Sequence, residues 1–66
     1  MVEVIVVHDG FWRVRMGGSP VGCIQRFAAS DGERFLARVI DARARRWTNV
    51  GEYWEFDAAV DALTMR

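Results

Sequence analysis

Three kinds of side chain in this sequence could do chemistry: the imidazole of His8, the thiol of Cys23, and nine guanidinium groups, since every basic residue is arginine. A thiol nucleophile needs a base within hydrogen-bond reach and a third group to orient that base. His8 and Cys23 are separated by two turn signals, Asp9-Gly10 and Gly17-Gly18, which place them on different strands. His8-Asp9 therefore reads as a turn pair, and Cys23 as a small packed apolar residue. One cysteine and one histidine cannot build a structural zinc site, and a lone cysteine cannot close an internal disulfide. Gly17-Gly18-Ser19-Pro20 lacks the lysine and following helix of a phosphate loop. The carboxylates of Glu52, Glu55, Asp57 and Asp61 lack the spacing of a calcium loop. The expectation is a protein that is not an enzyme and holds no cofactor and no metal.

The arginines remain. Their planar forks bind carboxylate and phosphate bidentately and stack on aromatic rings. Net charge is zero, yet residues 11 to 46 hold eight arginines against Asp31, Glu33 and Asp41. The rest of the chain holds only Arg66 against Glu3, Asp9, Glu52, Glu55, Asp57 and Asp61. A basic middle between acidic ends suits a binding face or a self-complementary dimer surface, or is an accident of composition. For nucleic acid the candidates are Arg13, Arg15, Arg34 and Arg38 on strands, with Arg43, Arg45 and Arg46 in the segment that follows. Zero net charge counts against that reading. For protein contacts the candidates are Trp47, Tyr53 and Trp54, beside Glu52 and Glu55. Tryptophan, tyrosine and arginine are the side chains that most often dominate interface energetics. In so small a domain any two of the three aromatics can equally be core. Protein contact, self-association included, is the preferred reading, and nucleic acid the second.

Turns organise the elements that carry these groups. Asp9-Gly10 and Asp31-Gly32 each resemble the central pair of a two-residue type I′ hairpin loop, which needs positive φ at both positions, and Gly17-Gly18 lies between them. The apolar runs VEVIVVH, FWRVRM, VGCIQRFAA and ERFLARVI then form a four-stranded antiparallel meander, with a fifth strand around RRWTNVGEYW. A helix over residues 31 to 47 competes, because Ser30 with Glu33 is formally a capping box and Phe35, Leu36, Val39 and Ile40 share a helical face. Gly32 at the second helical position argues against it, and the strand is preferred. At the end, Asp57 is a good N-cap for a short helix with Ala59, Val60 and Leu63 on one stripe. Such a helix must dock on the sheet to be stable.

A two-residue loop at Asp9-Gly10 sets Val7 opposite Trp12 and Ile5 opposite Val14, giving a core face. Val6 opposite Arg13 and Val4 opposite Arg15 give the other face, joined by Phe11 and Ile24. The expected core is Ile5, Val7, Trp12, Val14, Leu36, Val60 and Leu63. One short helix cannot cover both faces, so the sheet either curls into a small barrel or buries its second face against a partner. A domain of 66 residues buries only roughly 60% of its unfolded surface, and small scaffolds often rely on oligomerisation. The expected architecture is a single α+β domain over residues 1–66, an antiparallel meander of four to five strands with a short C-terminal helix, forming a homodimer. The apolar content of 52% supports a real core. Met1 is followed at once by a strand-like run rather than a basic signal region, and no run approaches the ~18 apolar residues of a membrane span. A cytoplasmic protein with no membrane partner is the expectation.

With the strands placed, FWRVRMGGSPVGCIQRF, RFLARV and NVGEYWEFDAAVDAL together resemble a pattern in short uncharacterised proteins of actinobacteria and their phages. The carrying residues are Trp12 and Val14, Gly18, Val21 and Gly22, Phe35 and Ala37, then Gly51 and Phe56 ahead of Ala59, Val60, Ala62 and Leu63. This resemblance covers most of the chain from residue 11; it implies a meander with a C-terminal helix and no particular activity. GEYWEFDAAVDAL is also similar to the last strand and helix of AP2 and integrase arm-type DNA-binding domains, which implies a sheet that enters the major groove with arginine and tryptophan. Here the N-terminal hairpin is longer, the helix shorter and the net charge zero.

Overall fold

A computed structural model describes residues 1–41 and 43–65, leaving Ala42 and Arg66 outside the description. Five strands form one sheet in sequence order: β1 (Val2–His8), β2 (Phe11–Met16), β3 (Ser19–Ala29), β4 (Gly32–Asp41) and β5 (Arg46–Tyr53), followed by helix α1 (Phe56–Thr64). Every neighbouring pair is antiparallel. The four- to five-stranded α+β meander is therefore the fold. The barrel alternative is not formed, because β1 and β5 are separate edges of an open sheet. Residues 33–41 are strand, not helix.

The turns differ in detail from the expectation. Gly17 and Gly18 both take positive φ, 59° and 83°, as a type I′ loop requires. At the first hairpin Gly10 alone does so, at 80°. Asp9 stays out of the left-handed region, where an L side chain is disfavoured. The third loop has Ser30 and Asp31 at its centre, with Ala29 paired to Gly32, so it lies one residue earlier than Asp31-Gly32 suggests.

The first hairpin also slips. His8 pairs with Phe11, but the next pair is Val6 with Trp12, and Val7 has no opposite number. Ile5 then faces Arg13, Val4 faces Val14 and Glu3 faces Arg15. This overturns the expected pairing of Val7 with Trp12 and Ile5 with Val14. A one-residue bulge sends every later side chain to the other face. Two more bulges follow, with Val21 extra against β2 and Val50 extra against β4.

Helix α1 lies across β2 to β5 on one face of the sheet. Beneath it Val14, Ile24, Ala37, Ala59 and Leu63 are buried, with Trp12, Phe35, Tyr53, Phe56 and Val60 packed around them. Three aromatic rings interlock at one end: Phe56 meets Trp12 and Phe35 edge-on, with ring centroids 4.8 and 5.6 Å apart. Arg26 lies over Trp12 at 6.0 Å and is tied to Asp9 and Glu33. Of the expected core, Val14 and Leu63 are buried and Trp12 and Val60 half-buried. Ile5 and Val7 are instead 40% and 48% exposed, and Leu36 belongs to the far face. Ile24, expected beside Phe11 on that far face, is fully buried under the helix.

The helix begins at Phe56, with Glu55 as its N-cap residue and no side-chain capping bond. Asp57 lies inside the first turn rather than at the cap. The reason is packing: Phe56 is held between Trp12 and Phe35, and its backbone is drawn into the helix with it.

Candidate binding surfaces of the open sheet

The face turned away from α1 carries the strand arginines. Strand alternation puts Ile5 of β1, Arg13 and Arg15 of β2, Cys23, Gln25 and Phe27 of β3, and Arg34, Leu36 and Arg38 of β4 on this side. Arg13, Cys23 and Arg38 form one row across three strands. The four arginines expected on strands thus share one face. The slip at Val7 joins them to Ile5 rather than to Val4 and Val6.

These arginines are not equivalent. Arg34 pairs with Asp31 and, at 3.1 Å, with Glu52, while its guanidinium lies 4.7 Å from the centre of the Trp54 ring. Its charge is largely spent within the fold. Arg15 donates to the Gly18 carbonyl at 2.7 Å and forms no ion pair among the described residues. Arg13 and Arg38 likewise have no carboxylate partner there. Arg34 and Arg38 each keep a buried Nε–H without an acceptor among the described residues, an arrangement that costs about 1–3 kcal/mol wherever no water reaches it.

Between Arg13 and Arg38 the Cys23 thiol is only 2% exposed. Burial pushes its pKa above the ordinary thiol range, against the opposing pull of Arg38 and Arg13. A protonated, enclosed thiol is a poor nucleophile. His8 is exposed at the first turn, stacked on Phe11 at 5.3 Å, with Nδ1 3.1 Å from the Asp9 carbonyl oxygen. Among the described residues no group of three or more His, Cys, Asp or Glu side chains is placed to hold a metal. Among the described residues no helix is long and apolar enough to cross a membrane.

Arg43, Arg45 and Arg46 occupy the β4–β5 connection and the first position of β5, at the opposite end of β4 from Arg34. Asp41 Oδ1 accepts from the backbone N–H of Arg43 and of Ala44, and Arg45 takes a positive φ of 53°. The turn is thus held by the Asp41 carboxylate, and its three arginines point into solvent as a group separate from the strand row. The aromatic candidates also divide. Tyr53 packs against the core under the helix, whereas Trp47, paired with Ile40 near the start of β5, and Trp54, just past its end, are exposed.

Strand β1, expected to give Ile5 and Val7 to the core, is instead a surface. All seven of its residues are exposed, and Val2, Val4, Ile5, Val6 and Val7 each keep 39% or more of their surface open. A shallow groove lined by Ile5, Val7, Arg13, Arg15 and Pro20 runs beside it. A second, lined by Gln25, Phe27, Leu36, Arg38 and Glu52, lies further across the same face. The chain matches no protein-family model, no curated protein and no solved structure.

Proposed function

We infer that this chain is a small non-catalytic binding module that acts through protein–protein contacts and associates with itself. The observation that carries this reading is β1: five apolar residues among the six positions from Val2 to Val7 are left in solvent on a strand whose outer edge is unpaired. Natural sheets blunt such edges with charge, proline or a covering segment, because an unpaired apolar strand is a template for another chain. Sedimentation velocity over micromolar to hundreds-of-micromolar protein tests it. A concentration-dependent shift to a dimer supports the reading, and a monomer throughout removes self-association from it.

A second reading has its own observation. Arg13, Arg15 and Arg38 share one face with no carboxylate partner among the described residues, a pattern that suits a phosphate backbone. Mobility shifts with random duplex and single-stranded DNA distinguish the two. Neutralising several phosphates would make binding fall steeply with salt, whereas no shift at low salt assigns the arginines to solvation and protein contact.

A further inference from the structure

We propose that two copies of this chain join edge to edge through β1, antiparallel, with the two-fold axis passing beside Val4, to make one continuous ten-stranded sheet. This rests on the self-association inferred above and specifies its geometry.

The backbone sets which groups are available. The Gly17 N–H donates to the Met1 carbonyl at 3.0 Å, so Met1 directs its main chain toward β2. In an antiparallel ladder that direction alternates. Glu3 and Ile5 therefore also spend their N–H and C=O on β2, and Val2, Val4 and Val6 turn theirs outward. Only a register that opposes these three residues to one another satisfies all of them. Centring the axis on Val4 does so: Val2 meets Val6 of the second copy, Val4 meets Val4, and Val6 meets Val2. Each is a hydrogen-bonded pair exchanging two bonds, and on the face that carries these three residues every side-chain pair is valine on valine. A two-fold contact must be complementary in both directions, and this one is by composition. Centring on Ile5 instead would bring Val2 against His8, whose main chain is already engaged with Phe11 beyond the bulge.

Charge agrees with the same register. On the arginine face Glu3 of one copy comes to lie opposite Ile5 of the other, and Ile5 is paired with Arg13. The Glu3 and Arg13 backbones are then two strand spacings apart, roughly 10 Å, within joint reach of a glutamate and an arginine. Arg13 has no carboxylate partner within its own copy among the described residues, and symmetry supplies this one twice. The opposite edge of the sheet is not equivalent, because β5 carries a bulge at Val50 and the charged residues Arg46 and Glu52.

The test uses single cysteines in a Cys23→Ala background of the full chain under mild oxidation. Hydrogen-bonded pairs have Cα atoms ~5.5 Å apart, within disulfide span, so Val4→Cys should cross-link to a dimer. Ile5→Cys, displaced from its own copy by a diagonal step, should not. In parallel, Val6→Lys should weaken association at least ~tenfold (a factor worth about 1.4 kcal/mol) while leaving the circular dichroism spectrum and the melting temperature unchanged at dilutions where both proteins are monomeric, since Val6 is 65% exposed. Cross-linking through Ile5→Cys but not Val4→Cys overturns the register. A dimer in the centrifuge that forms neither cross-link and ignores Val6→Lys overturns the edge contact while self-association stands. A monomer at every concentration overturns both, and leaves the edge to an extended segment of another protein.

Discussion

Gly22 is the most constrained position in the sheet. A Cβ there would lie 2.2 Å from the Arg38 carbonyl oxygen and 2.9 Å from Leu63 Cδ2. The first of these is backbone, so no side-chain rotation relieves it. Gly22→Ala should destabilise by at least about 1–3 kcal/mol as an overpacking change, read as a lowered urea midpoint with an unchanged slope. Trp12→Ala should cost about 3–5 kcal/mol, because it removes the ring that Phe35 and Phe56 both pack against. Cys23 makes a prediction in pH. Its pKa is raised in the fold, so the unfolded chain releases the proton first. The stability this contributes is full below the unfolded thiol value, about 8.5, and is lost as pH rises through the folded one. Urea midpoints should fall between pH 7 and 9.5, the fall should be smaller in Cys23→Ala, and a thiol reagent should react slowly until denaturant is added. Sequence alone gave the correct character to Cys23 as a packed residue and to Gly10, Gly17 and Gly18 as turn formers. It offered no sign that Gly22 must be glycine, because that depends on where Arg38 and Leu63 arrive from other elements.

At the scale of elements, the two ends of the chain show opposite deficits. Helix α1 starts without a side-chain cap and ends with no basic residue in its last turn. Its stability comes from the apolar stripe it sets into the sheet. Glu55→Ser, which offers a hydroxyl to the first-turn amides, should raise stability by about 0.5–1.5 kcal/mol, visible as an increase in melting temperature. Strand β1 lacks burial instead. Its composition explains why its faces were misassigned: in VEVIVVH valine or isoleucine occupies both parities, so alternation does not distinguish core from solvent. The register then hung on a single turn, and the extra residue at Val7 carries no mark of its own, being one more valine among several. Strand number, order and the existence of the helix were legible, because Gly, Asp and Asn punctuate the chain. The bulges at Val7, Val21 and Val50 were not, since each is fixed by the fit of neighbouring strands. Of the candidate binding surface, the shared face of Arg13, Arg15, Arg34 and Arg38 was legible from period-two spacing. The exposure of β1 was not.

For the whole molecule, net neutrality conceals two distinct arginine groups and an asymmetric sheet. One face is covered by α1, the other is open, and the two edges differ in how well they resist pairing. The sheet grows entirely by hairpins between successive strands, and α1 alone reaches across β2 to β5 to complete the core. The consequence is kinetic. Local hairpins form in about 1–10 μs, and a topology with short-range pairing folds quickly, so the sheet can assemble before its cover arrives. During that interval both faces and the β1 edge are open at once, and a second unfinished chain competes with the helix for the same apolar surface. Refolding yield should therefore fall with protein concentration more steeply than native solubility would suggest.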